Sequence, residues 1–127
     1  MSIELRDFGF TGLKVSAVGF GTGKIGGSEL TDKKVEKLLN SILDMGINLI
    51  DTARSYGEAE HRIGKFLKHR RTEFILSTKV GYDVEGVDDW TFKCITDGVE
   101  KALRILQTDY IDIVHLHSCN KDILEKG

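Results

Sequence analysis

The sequence predicts an α/β fold in which short buried strands alternate with amphipathic helices and the strands run parallel. Three observations lead there. Short apolar runs take turns with segments whose apolar residues recur at helical spacing. Each of the later apolar runs carries a polar residue at or near its end, namely Asp51, Lys79 and His117. The composition, 40% hydrophobic and 30% charged, is that of an ordinary globular chain, and 127 residues favour one domain.

The first element is a hairpin over residues 3–15, turning near Gly9 and Gly12. A further extended piece over residues 17–20 ends in Gly21-Thr22-Gly23. Thr31 is a helix N-cap, and Val35, Leu38, Leu39, Ile42 and Leu43 fall on one helical face before Gly46 stops the helix. Residues 47–50 form a buried strand ending at Asp51. Residues 58–68 form a helix with Ile63, Phe66 and Leu67 as its buried stripe, and Glu58, Glu60, His61 and Arg62 as its solvated face, with bracing of the site as the alternative for Glu60. Residues 74–80 are a third strand. A helix starting near Thr91 carries Val99, Leu103 and Leu106, and residues 110–116 are a fourth strand.

The order after the hairpin is therefore β-α-β-α-β-α-β, which calls for right-handed crossovers between parallel strands. Two architectures satisfy it: an open doubly wound sheet, or part of a β/α barrel. Gly21, Gly23 and Gly26 match the G-x-G-x-x-G spacing of a dinucleotide-binding turn. The match is weak, because the helix that should follow begins only near Thr31.

Charge and composition narrow the partners. A net charge of −2, from 18 basic and 20 acidic side chains, is too even for nucleic acid or an anionic membrane surface. No apolar run approaches the ~20 residues of a membrane span. The N-terminal residues 1–10 lack a signal-peptide core, so a cytoplasmic location is expected. Cys94 and Cys119 are too few for a disulfide framework and are expected to be free thiols.

Parallel strands of a β/α fold end on one rim, so Asp51, Lys79 and His117 are expected to meet there, with Tyr56 in the loop just beyond Asp51. A carboxylate, an ammonium, an imidazole and a phenol suit carbonyl reduction. Hydride addition leaves negative charge on the carbonyl oxygen, which then needs a proton. A phenol, with an ordinary pKa of about 10, gives one up reluctantly, and a neighbouring ammonium eases the transfer. The carboxylate holds the ammonium, and the imidazole hydrogen-bonds the oxyanion. The hydride must come from a cofactor.

Those residues lie in segments that resemble the aldo-keto reductase family. They are Gly19-Phe20-Gly21-Thr22-Gly23, then Asp51-Thr52-Ala53-Arg54-Ser55-Tyr56-Gly57 followed by Glu60, then Ser77-Thr78-Lys79, then Asp109-Tyr110-Ile111-Asp112 leading to His117. The resemblance implies a (β/α)8 TIM barrel, here its N-terminal hairpin and about the first four βα units, over residues 1–127. It implies a hairpin closing the barrel bottom and a catalytic set of Asp51, Tyr56, Lys79 and His117, with Tyr56 as proton donor. It further implies NADPH or NADH as cofactor, touched here by Gly21, Thr22, Gly23 and Asp51, and a small carbonyl or alcohol substrate bordered by Tyr56, Trp90 and His117.

A complete barrel takes about 250 residues. The chain is therefore expected to be a fragment, a gene product cut short, or a half-barrel that pairs with another chain. Inner faces and two sheet edges would stand open, leaving Val80 and Ile113 in need of cover. Two other readings compete. One is a cofactor-free, reductase-like binding module. The other is a metal-dependent hydrolase built on the His115/His117 pair, although His115 reads better as a hydrogen-bonded interior residue.

Overall fold

The computed structural model describes residues 2–126. Strands β1 (Leu5–Asp7) and β2 (Lys14–Ser16) pair antiparallel, with Leu5 opposite Ser16. Gly9 and Gly12 carry the positive φ of the turn between them. The hairpin is fastened to the N-terminal end of the next sheet by Asn48. Its side-chain oxygen accepts from the Ser16 N–H at 2.6 Å, and its amide nitrogen donates to the Lys14 carbonyl at 2.9 Å.

Strands β3 (Phe20–Gly21), β4 (Leu49–Asp51), β5 (Ile75–Val80) and β6 (Ile113–Leu116) form one parallel four-stranded sheet in chain order. Helices α1 (Asp32–Asp44), α2 (Ala59–Leu67) and α3 (Phe92–Ile105) make the crossovers, and α4 (Lys121–Lys126) follows β6. The order separates the two architectures left open above. A doubly wound sheet reverses its strand order at a switch point, whereas a barrel adds each strand beside the last.

The faces agree with an arc of barrel. On β5, Leu76, Thr78 and Val80 point toward the helices, and Ser77 and Lys79 toward the opposite, inner side, as the two-residue repeat of a strand requires. Thr78 meets Glu60 of α2 on the helix side, while Ser77 and Lys79 meet Asp51 on the inner side. The core lies between helices and sheet: Val35, Leu39 and Ile42 of α1, Ile63, Phe66 and Leu67 of α2, and Ile50 and Leu76 beneath them. Burying each of these large side chains stabilises the fold by about 1.5–3 kcal/mol. Both long helices are capped by threonine: Thr31 accepts from the Lys34 N–H, and Thr91 from the Cys94 N–H.

Several expectations are corrected. The extended piece at residues 17–20 shortens to Phe20–Gly21, because the Ala17 N–H goes back to the Glu4 carbonyl of the hairpin. The fourth strand begins at Ile113, because the Asp112 carboxylate takes the Leu76 N–H at 2.8 Å that a ladder carbonyl would otherwise hold. Val80 is buried, since it faces the helices and sits under α3 beside Gly98. The packed face of α3 is Cys94, Gly98 and Ala102, with Val99 and Leu103 only half-buried at its flanks.

The charged face assigned to residues 58–62 is also not solvated throughout. Glu60 is 2% exposed beneath the sheet end. Arg62 ties α2 to α1, donating to Asp32 and to the carbonyls of Ile25, Gly27 and Leu30. Strand β6 is an edge, and Val114 and Leu116 on its helix side are exposed at 42% and 40%.

Candidate active site

The parallel register brings the strand ends together. Gly21 lies opposite Asp51, Asp51 opposite Ser77, and Lys79 opposite His115. The Lys79 Nζ donates to Asp51 Oδ2 and to the Thr52 carbonyl, both at 2.8 Å. The other carboxylate oxygen, Oδ1, accepts from the Ser77 hydroxyl at 2.9 Å. Asp51 is thereby fixed at both oxygens, and its carboxylate aims the lysine. The Lys79 ammonium stands 4.9 Å from the centre of the Tyr56 ring. The Tyr56 and His117 rings meet edge to face, with centres 6.2 Å apart and planes at 86°. All four residues thus share one rim, at the C-terminal ends of β4, β5 and β6.

Tyr56 is held by two glycine-bearing loops that interlock. The Glu58 N–H donates to the Gly26 carbonyl at 2.9 Å. A Cβ on Gly26 would overlap the Tyr56 carbonyl, and Gly57 turns with φ of +57°. Only residues without a side chain let the two backbones approach this closely.

Electrostatics separate two groups at the site. Burial lowers the His117 pKa from its ordinary 6.5; the Lys79 charge adds to that and Asp51 opposes it. The imidazole is therefore neutral at pH 7. Behind the sheet, burial raises the Glu60 pKa, against the Thr78 hydrogen bond and the Arg54 charge, which lower it. Thr78 donates to Glu60 Oε2 at 2.9 Å, and Arg54 Nη2 donates to the Gly98 carbonyl at 2.7 Å.

The remaining sequence candidates are placed as follows. Gly21 and Gly23 are exposed at the rim, and a Cβ on either would meet nothing within 4 Å. Thr22 is buried, and both its N–H and its hydroxyl donate to the Asp51 carbonyl, so its side chain braces the strand end and does not face the mouth. Trp90 lies over Gly81 and against Tyr82, 5.4 Å between ring centres, and reaches His117 only through Tyr82. Among the described residues His115 is exposed on the inner side of the edge strand β6 and has no hydrogen-bond partner for its ring, in place of the interior, hydrogen-bonded histidine expected there. Among the described residues no group of three or more His, Cys, Asp and Glu is arranged to hold a metal ion. An open concavity of about 490 Å³ between Lys68, Arg71 and Gln107 lies at the other end of the strands.

Sequence reasoning missed Ser77 and Tyr82. Ser77 shares the inner face with Lys79, so the two-residue strand repeat contained the signal. Tyr82 follows the strand at Gly81, where no repeat predicts a direction. Its hydroxyl lies 2.9 Å from His117 Nδ1.

Comparison with known proteins decides the family. The model of the Aldo/keto reductase family matches residues 17–123. This chain belongs to the aldo-keto reductase family. It is similar to L-galactose dehydrogenase of Arabidopsis thaliana, 38% identical over 91% of this chain and 38% of that protein. It is similar to aldo-keto reductase YhdN of Bacillus subtilis, 37% identical over 91% of this chain and 38% of that one. A solved Pseudomonas aeruginosa protein named for the same family superposes with a TM-score of 0.87 and 41% identity, over 97% of this chain and 51% of that one.

The fold is thus that of the TIM barrel family, and the aldo-keto reductases are a family of oxidoreductases. The chain spans about two fifths of the length of the curated relatives it matches. Among the described residues no helix is long and apolar enough to cross a membrane.

Proposed function

We propose that residues 1–127 are the N-terminal half of an aldo-keto reductase barrel, and that the protein interconverts an aldehyde or ketone with its alcohol using NADPH or NADH. The observation that carries this reading is the Lys79 ammonium, clamped by Asp51 at 2.8 Å and set 4.9 Å from the Tyr56 ring. A fixed positive charge beside a phenol eases the loss of its proton, which is what protonating a carbonyl oxygen requires. His117 meets the Tyr56 ring edge to face as a neutral hydrogen-bonding group.

The roles follow from charge. The carbonyl oxygen lies between Tyr56 and His117, polarised by hydrogen bonds from both. As negative charge grows on that oxygen, the Tyr56 hydroxyl gives it a proton. The charge left on the phenol oxygen is stabilised by Lys79, and Asp51 keeps Lys79 in place. In the oxidising direction the same proton returns to Tyr56.

The residues fit a nicotinamide. Gly21 and Gly23 present bare backbone to open space beside Asp51, and the four polar side chains supply protons and charge but no hydride. When bound, the nicotinamide supplies that hydride. Gly21, Gly23 and Asp51 would border it, with Thr22 steadying the loop from behind. Trp90 and the loop around it would flank the substrate. A cytoplasmic enzyme is the setting that fits. The open inner face of the sheet would be covered by the rest of a longer barrel or by another chain.

The test is a titration of the full-length natural protein with NADPH and with NADH, read by fluorescence, followed by a panel of aldehydes and ketones. Saturable binding of one nicotinamide and carbonyl-dependent loss of its reduced form are expected. No binding at high cofactor would contradict the proposal and favour a cofactor-free binding module.

A further inference from the structure

We propose that Tyr82 is a positioning residue that fixes His117 as the Nε2–H tautomer, so that the imidazole presents a donor to the substrate oxygen. The inference rests on the reductase reading for its purpose, but its geometry stands alone. The Tyr82 hydroxyl lies 2.9 Å from His117 Nδ1, and the two rings lie 5.3 Å apart at a 33° tilt. A contact between a hydroxyl and a ring nitrogen admits two proton arrangements. Chemistry separates them. A phenol O–H is a stronger acid than a neutral imidazole N–H, and the bare imidazole nitrogen is a better acceptor than a phenol oxygen. The phenol therefore donates to Nδ1. In a neutral imidazole the proton must then sit on Nε2, the one polar ring atom left for the pocket.

The neutrality this requires is supplied by burial and by Lys79, which both disfavour the imidazolium. Other contacts hold both partners. The His117 N–H donates to the Val80 carbonyl at 2.9 Å, fixing the ring's strand end. Tyr82 is wedged between His117 and the Trp90 ring, 5.4 Å away and steeply inclined. Trp90 in turn is tied by its backbone N–H to the Gly81 carbonyl at 2.7 Å. Asp83 and Trp90 both hold positive φ, 61° and 65°, a conformation costly for side-chain-bearing residues. The loop is held in an unfavourable backbone shape that places Tyr82 against the histidine. Among the described residues, the Tyr82 hydroxyl is the group within hydrogen-bond distance of His117 Nδ1, and it is the one that selects the tautomer.

Tyr82→Phe in the full-length natural protein tests this, because the ring packing on Trp90 and His117 remains and only the hydroxyl goes. Long-range proton–nitrogen NMR on histidine-labelled protein reads the tautomer directly. In the parent, His117 should show a protonated Nε2 and a bare Nδ1. In the variant it should show a mixture of tautomers, with kcat lower by about five- to tenfold and cofactor Kd unchanged. A parent with Nδ1 protonated, or a variant with the parent's tautomer pattern, would overturn the inference. The NMR readout needs no turnover. It therefore decides the tautomer even if the full-length protein reduces no carbonyl, a result that would overturn the reductase reading alone.

Discussion

Lys79 serves three partners at once. Its ammonium bonds the Asp51 carboxylate and the Thr52 carbonyl, and the same charge sits beside the Tyr56 ring. Replacing it by methionine keeps the chain length and removes the charge. Lys79→Met is expected to lower kcat by about 10²- to 10⁴-fold, the usual scale of assisted proton transfer. Near-normal turnover would show that the charge is not used. Glu60, behind the sheet, affects stability. Burial holds its pKa above the ordinary 4.5, so the folded state binds its proton more tightly than the unfolded state. Stability must then fall as pH rises from that ordinary value through the raised one. Glu60→Gln keeps an acceptor for Thr78 and removes the slope, so its Tm should match or exceed the parent's at pH 8. Glu60→Ala strands the Thr78 hydroxyl and leaves a gap, at a cost of about 2 kcal/mol. Thermal melts of both variants at acid and alkaline pH check this; a parent-like pH slope in Glu60→Gln would contradict it. Asp51, Lys79 and His117 were legible in the sequence because each lies at or near the end of an apolar run, and Tyr56 because it sits in the loop that leaves the first of those ends. The burial of Glu60 was only half legible, because its charged neighbours Glu58 and His61 are surface residues and make the whole segment read as solvated.

The helices and their caps were readable at the level of elements. Thr31 and Thr91 accept from the backbone three residues on, as the capping pattern requires. The interlock of two loops was not readable, because Gly26 and Gly57 lie far apart in sequence and nothing local marks their contact. That interlock positions Tyr56. Gly26→Ala would push a methyl group into the Tyr56 carbonyl, and the loop must move. The expected result is a loss of turnover of about 10²-fold or more, on the scale that a 1 Å displacement produces. Steady-state kinetics alongside thermal melting separate this from unfolding. A variant with normal kcat would mean that the loop carries no positional load. The Tyr82 contact belongs to the same class. Its loop follows a strand end, where alternation stops and side-chain direction depends on turns set by tertiary packing.

Topology at the scale of the molecule followed from the alternation of elements, but the sequence alone left barrel and open sheet undivided. Strand order and the segregation of helices to one face resolved it. The edges have a physical consequence. β3 and β6 each keep one unpaired side, and Val114 and Leu116 are exposed next to the second. Residues 1–127 prepared alone are expected to self-associate and to bind a hydrophobic dye. Sedimentation showing a dye-free monomer would contradict that expectation. The convergence of the four side chains is tested most directly by single-turnover reduction with Tyr56→Phe in the full-length protein. Cofactor Kd is expected to stay within about twofold of the parent while carbonyl-dependent nicotinamide oxidation falls by at least about 10²-fold. Oxidation at the parent's rate would contradict it, since some other group would then be delivering the proton.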